Sequence, residues 1–267
     1  MRKASLNEVQ DLIYDIFVEY DRICRKHNIK YSMEGGTLLG AVKYRDYVPW
    51  DDDIDVIMLR SEYEKFLKVA LTELNKDFFL QSYNNVPQFP LNYAKLCYNG
   101  AKICDYDYSH LQEMHHGVFI DIFPIDNVNR VKLRLHCAMV GVLTGARKTK
   151  LGIKLNGLPI HKNIIYKMLS LLPMRNLVSL LNLVCTKDNK KTAAFRYEIC
   201  NPNRKFPPLR TNIYENLIEL PFRDRTFYAV KDYDEFLCSR FGEDYMKSLP
   251  PEEKRRPSHC TNIYINE

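Results

Sequence analysis

Nowhere in these 267 residues is there a run of about 18 uncharged apolar residues, so no membrane-spanning helix is expected. The opening stretch, MRKASLNEVQDLIYDIF, places acids and polar side chains where a secretory signal would carry its apolar core. An intracellular protein is the expectation. Internal repeats and low-complexity tracts are also missing. Cysteine occurs eight times but never as CxxC, which reads as scattered reduced thiols rather than a disulfide framework. Cys97, Cys104, His115 and His116 match no common zinc spacing. Hydrophobic residues make up 46% of the chain, which excludes a disordered polymer and allows a real core. The length suits one large domain or a compact domain with a sizeable insertion.

Acidic charge is missing from one long stretch. Between Asn127 and Lys187 there is no Asp or Glu, but there are 11 Lys or Arg. With a total of +6, the rest of the chain is net negative. Leu135, Met139, Ile164, Ile165, Met168, Leu177 and Leu181 are interleaved with these cations, a pattern that suits a helix on an anionic membrane surface or a helix packed on a core. Nucleic acid is not the expected partner, because Tyr166 is the only aromatic residue in the stretch.

Local patterns supply the elements. Ser5 and Glu8 form a capping box ahead of a helix ending near Lys26 to Asn28. A strand over 29–33 leads to Gly35-Gly36 and a short apolar helix. DIDVIML reads as a strand and Ser61 to Leu74 as a capped amphipathic helix. Further strands are expected near 78–83 and at 93–98 and 101–106, the last two joined as a hairpin by Asn99-Gly100. VFIDIF reads as a buried strand ending at Pro124. Helices follow at 132–150, 161–185 and 232–241. The fold class expected is α+β: a mixed sheet flanked by helices, with a basic helical insertion. The boundaries are a core at 1–128, the basic helical segment at 129–190, and a part at 191–267 that packs back on the core.

The acids carry the chemistry. In PWDDDIDVIM, strand alternation puts Asp53 and Asp55 on one face and Ile54 and Val56 on the other. Two carboxylates sharing a face repel, and a divalent cation between them relieves it. Mg²⁺, or Mn²⁺, is the natural candidate, because it takes one or two carboxylates together with substrate phosphates. Asp121 sits inside the otherwise apolar GVFIDIF. A charge there must be metal-bound or paired, for instance with a lysine. The Gly35-Gly36 turn, where a helix begins, allows close backbone approach to a phosphate. A glycine pair, a D-x-D strand and a third strand acid together form the grammar of the nucleotidyltransferase fold.

GGTLLGAVKYRDYVPWDDDIDVIMLRSEYEKF, residues 35 to 66, closely resembles the LicD family. HHGVFIDIFPIDNV, residues 115 to 128, resembles that family's second block, and 221–222 with 233–254 a weaker third. Arg223 and Phe241-Gly242-Glu243 depart from the family's Glu and Tyr-Gly-Asp at those places. The family is named for phosphorylcholine transferases of bacterial surface glycans. The resemblance implies the nucleotidyltransferase superfold, with Asp53, Asp55 and Asp121 as catalytic and metal-binding acids and Asp51 as an outer ligand. It implies a CDP-choline or related CDP-alcohol donor met by Gly35, Gly36 and Thr37. It also implies a glycan acceptor of teichoic acid or lipopolysaccharide type, assembled on a lipid carrier at the cytoplasmic face of the membrane. Lys43 and Lys95 are candidate phosphate contacts, with solvated surface lysines as the alternative. His116 is a candidate substrate contact, with a structural histidine as the alternative. Trp50 is a candidate for the aromatic cage that a choline ammonium favours. Transfer of another polyol or sugar phosphate, transfer of a nucleotidyl group, and a non-enzymatic membrane-surface adaptor are the competing readings.

Overall fold

The computed structural model describes residues 2–104, 108–201, 206–247 and 262–265. Helix α1 (Leu6–Lys26) starts at the Ser5–Glu8 capping box and buries Val9, Ile13, Ile16, Phe17, Tyr20 and Ile23 along one face. This stripe packs on a mixed sheet whose strand order is β2 (Ser32–Met33), β3 (Asp55–Leu59), β7 (Phe119–Val128), β5 (Ala94–Tyr98), β4 (Phe78–Gln81). β3 and β7 run parallel, and the other pairs on this path are antiparallel. Helix α2 (Gly35–Tyr44) joins β2 to the acidic segment, and α3 (Arg60–Glu73) follows β3. α3 begins without a side-chain cap, so Ser61 lies within its first turn and caps nothing.

Three expectations fail for identifiable reasons. The Asn99-Gly100 hairpin does not form: β6 (Ala101–Cys104) pairs instead with β12 (Asn262–Ile265), which also pairs with β1 (Arg2–Lys3). Both edges of β5 are already taken by β4 and β7, so no ladder is left for β6. Residues 105 and 106 of the expected strand lie outside the described residues. Next, β7 runs straight through Pro124. Its pairing with β5 reaches only Ile122, and β8 (Phe195–Tyr197) joins from Asp126, so the missing N–H falls in the gap between partners. Finally, the helix expected at 161–185 is two helices, α5 (Ile160–Ser170) and α6 (Met174–Thr186), bent by 116° at Pro173.

α4 (Leu133–Lys150), α5 and α6 stand between β7 and β8. Val140, Leu143, Leu177, Leu181 and Val184 form an apolar cluster there with Val128, Tyr197 and Ile199. Asp126 anchors this region. It is fully buried and accepts from Arg60 Nε (2.9 Å) and Nη2 (2.6 Å) on α3, and from Asn189 Nδ2 (2.6 Å) beyond α6. β9 (Leu209–Arg210) pairs with β8. The hairpin β10 (Leu217–Phe222) and β11 (Arg225–Val230) packs on α2 and β2, and α7 (Tyr233–Phe241) packs on α2.

Candidate active site

The sheet register builds one polar row across an apolar fold. Asp55 on β3 is in register with Asp121 on β7, Asp121 with Lys95 on β5, and Lys95 with Gln81 on β4. Residues in register on neighbouring strands, about 4.8 Å apart, share a face. Lys95 Nζ lies 2.8 Å from Asp121 Oδ1 and 3.0 Å from the Phe119 ring centroid. Lys95 is buried, so the solvated-surface alternative for it does not hold. The lysine pairing set out as the alternative for Asp121 is thus observed, and it occurs beside Asp55. Upstream, 51–56 alternate between half-buried Asp51, Asp53 and Asp55 and buried Asp52, Ile54 and Val56, as strand parity requires, although β3 itself begins only at Asp55. The Asp53 carboxyl is pushed well above the usual carboxylate range, first by burial and then by the charges of Asp55, Asp51 and Asp121.

The start of α2 closes on this row. Gly35 adopts φ +53, and a Cβ on it would sit 3.9 Å from Asp55 Oδ2. A Cβ on Gly36 would sit 2.3 Å from Asp51 Oδ2, so any larger residue there would push the Asp51 carboxylate aside. The positive end of the helix dipole therefore meets the acids, and the same end attracts a phosphate. Thr37 is buried behind the row, where its hydroxyl oxygen accepts from the Asp55 backbone N–H at 2.9 Å. Gln10 of α1 donates to the Asp51 carbonyl at 2.8 Å, and Asp121 N–H donates to the Ile54 carbonyl at 3.0 Å.

Sequence reasoning missed what holds α2 in place. Glu34, its N-cap residue, does not cap with its side chain. Instead Arg240 of α7 donates from Nε to Glu34 Oε1 at 2.8 Å and from Nη2 to Glu198; both glutamates are buried, and the arginine side chain is only 3% exposed. The guanidinium also lies 4.6 Å from the Phe236 ring centroid. No local pattern around SRFGED separates this arginine from a surface one. Arg223, the departure from the family pattern, bonds Asp46 and Asp11 and lies 5.0 Å from the Tyr47 ring, so it locks the β10–β11 turn to α1 and to the segment after α2.

The other candidates make contacts of their own. Lys43 is at the far end of α2, about 12 Å along the axis from Gly35, and donates to the Lys247 carbonyl at 2.9 Å. The His116 ring is held by the Leu111 carbonyl at 3.1 Å, the structural role set out as its alternative. Trp50 is half-buried and packs on the main core. The zinc grouping does not assemble: Cys97 Sγ accepts from Gln81 Nε2, and the His115 ring bonds Asn99. The Cys104 side chain is outside the described residues.

Among the described residues no three His, Cys, Asp or Glu side chains converge into a ready-made cation cage. The donor chemistry nevertheless suits a hard divalent cation that takes part of its shell from substrate. The oxygens on offer are carboxylates, burial and then their mutual repulsion raise Asp53, and a helix start stands against them.

A sheet-borne acid row stands against a glycine helix start. Residues 28–138 match the family model of the LicD/FKTN/FKRP nucleotidyltransferase domain. It is 29% identical to the lipopolysaccharide cholinephosphotransferase LicD of Haemophilus influenzae, over 99% of this chain and all of that protein. Uncharacterized proteins of Rickettsia typhi and Rickettsia prowazekii are 35% and 34% identical over 26% and 27% of this chain, covering 23% and 26% of their own lengths.

Proposed function

We propose that this protein transfers phosphocholine from CDP-choline to a hydroxyl of a cell-surface glycan precursor, of lipopolysaccharide type as in the Haemophilus influenzae relative or of teichoic acid type. The observation that carries the reading is the in-register row of Asp55, Asp121 and Lys95 with Asp53 and Asp51 beside it. In this reading the core has the nucleotidyltransferase fold, and Asp53 and Asp55 hold Mg²⁺ or Mn²⁺. When bound, that cation neutralises the diphosphate and the departing oxygen. The Gly35-Gly36 backbone admits the diphosphate to the helix start. The acceptor oxygen attacks the choline-bearing phosphorus, the bond to the bridging oxygen breaks, and CMP leaves with that electron pair. The acceptor proton passes to a carboxylate, for which Asp121 is the candidate, with Lys95 fixing its orientation.

Space for an acceptor lies nearby. A cavity of about 680 Å³ is lined by Tyr93, Tyr108, Tyr166, Lys148 and Lys162. Its Tyr93 ring packs 4.3 Å from Phe123, two residues beyond Asp121 on β7. Aromatic rings with lysines suit a sugar bearing negative charge. The test is incubation with CDP-choline labelled separately in choline and in cytidine, an acceptor glycan and Mg²⁺. Choline label on the glycan with cytidine label in free CMP supports the reading. Cytidine label on the glycan replaces it with nucleotidyl transfer. Transfer only from another CDP-alcohol corrects the donor. No transfer from any donor, with the fold intact, leaves the adaptor reading standing.

A further inference from the structure

α5 faces the wrong way for an ordinary core helix. Only Tyr166 is buried among its 11 residues. Ile160 (80% exposed), Ile164 (54%) and Met168 (66%) look outward, as does Leu171 (83%) just past its end. The spacing i, i+4, i+8, i+11 makes one continuous stripe, opposite Tyr166. α6 behaves differently, because Leu177 and Leu181 enter the core beside α4. Leu135 and Met139 on α4 and Leu183 on α6 are also exposed. An apolar surface this dense on a single chain marks an interaction site.

Charge selects the partner. Exposed Lys154, Lys167 and Arg175 lie before, within and after the stripe in sequence, in a stretch that carries no acid from Asn127 to Lys187. Not every cation serves this surface: Arg147 is fully buried, donating to Asn92 Oδ1 and the Phe89 carbonyl at 2.7 Å each. We propose that α5 lies in the interface of an anionic phospholipid bilayer, its Ile160–Leu171 stripe among the acyl chains and the flanking cations on the headgroups. An apolar stripe rimmed by charge of a single sign fits such a surface. Among the described residues no single helix is long and apolar enough to cross a membrane, and α5 spans only about 16 Å of a hydrocarbon core about 30 Å thick. α5 and α6 together reach that length and apolarity, but they are bent by 116° and α6 turns Leu177 and Leu181 into the core, so α5 lies flat. Its inner face, through Lys162 and Tyr166, lines the cavity described above, so docking sets that cavity beneath the lipid surface.

The docking does not depend on the donor or the reaction, and its test uses neither. Full-length protein is co-sedimented with vesicles of phosphatidylcholine alone and of phosphatidylcholine mixed equally with phosphatidylglycerol, at low salt and at about 1 M salt, where charges are screened beyond roughly 3 Å. Retention by the anionic vesicles at low salt is expected, falling at least tenfold on neutral vesicles or in high salt. The double variant I164D/M168D and the triple variant K154Q/K167Q/R175Q should each bind at least tenfold more weakly. Their thermal transitions, followed by circular dichroism, should stay with the parent's because the changed side chains are exposed. Failure of the parent to bind anionic vesicles overturns the proposal. So does equal binding of I164D/M168D, or a parent dimer in sedimentation velocity that this variant abolishes, which would make the stripe an interface between copies.

Discussion

The sheet row and the three-helix segment treat charge in opposite ways. In the row, Asp51, Asp53, Asp55 and Asp121 are gathered beside a helix start, with Lys95 in register with Asp121. In the helices, charge of one sign is spread over an outer surface among exposed apolar side chains. The first arrangement concentrates like charge, a repulsion that a divalent cation would relieve. The second creates a broad field that a flat anionic surface satisfies. The comparison separates two ways of placing charge: crowded into one row, or spread over one face.

The contrast breaks most visibly at the row. Asp55→Asn or Asp53→Asn should lower transfer on the order of 10²–10³-fold or more, comparable to losing a central electrostatic contact in other enzymes. Chelation of divalent cations should do the same to the parent. The fold should survive, and metal-free Asp53→Asn should melt no lower than the parent. The sign follows from Asp53. Its raised folded value gives stability that is full below about 3.8 and lost as pH rises through the folded value, so the neutral amide removes that loss. A melting series from acid to neutral pH checks it, and a collapsed Asp53→Asn variant would contradict it.

Arg240→Ala should cost about 3–5 kcal/mol in urea unfolding, since buried Glu34 and Glu198 lose their shared cation. A change below about 1 kcal/mol would mean the triad does not hold α2. Arg147→Ala should cost roughly 2–4 kcal/mol through a cavity and the stranded Asn92 and Phe89 acceptors, with Arg147→Met milder because it keeps volume. This contrasts one inward cation of the helical segment with its outward ones.

Lys95→Met sharpens the comparison within the row. Without the ammonium, Asp121 should draw a divalent cation more strongly, so calorimetric affinity rises several-fold while transfer falls about tenfold or more. Weaker cation binding together with lower transfer would instead make Lys95 a support of the site. The smallest effect belongs to the docking face, where Ile164→Asp should change unfolding free energy by no more than about 0.5 kcal/mol.

Much of this was legible from local pattern. The Ser5–Glu8 box and the apolar periodicity after it are short-range signals, and α1 follows them. The parity of Asp53 and Asp55 was readable because alternation is a property of extended backbone, and the family motif covered the same residues. The Asn99-Gly100 hairpin was misread because a turn signal does not say whether the next strand edge is free. The break at Pro173 was readable and was passed over in favour of apolar periodicity. Lys43, a candidate phosphate contact, stands at the C-terminal end of α2 and donates to the Lys247 carbonyl, a placement that local pattern does not give.

The sequence by itself determined the α+β class, the acids and glycines, the family resemblance, and the sorting of basic residues into one acid-free stretch. These depend on spacing over a few residues and on composition, which the chain carries before it folds. Only the tertiary structure decided that Asp121 stands between Asp55 and Lys95, that Arg240 holds the residue before Gly35, and that α5 turns its apolar stripe outward while α6 turns its own inward. Strand register and helix orientation are set by which edges and faces remain after the rest of the core has packed, and no local pattern contains that information.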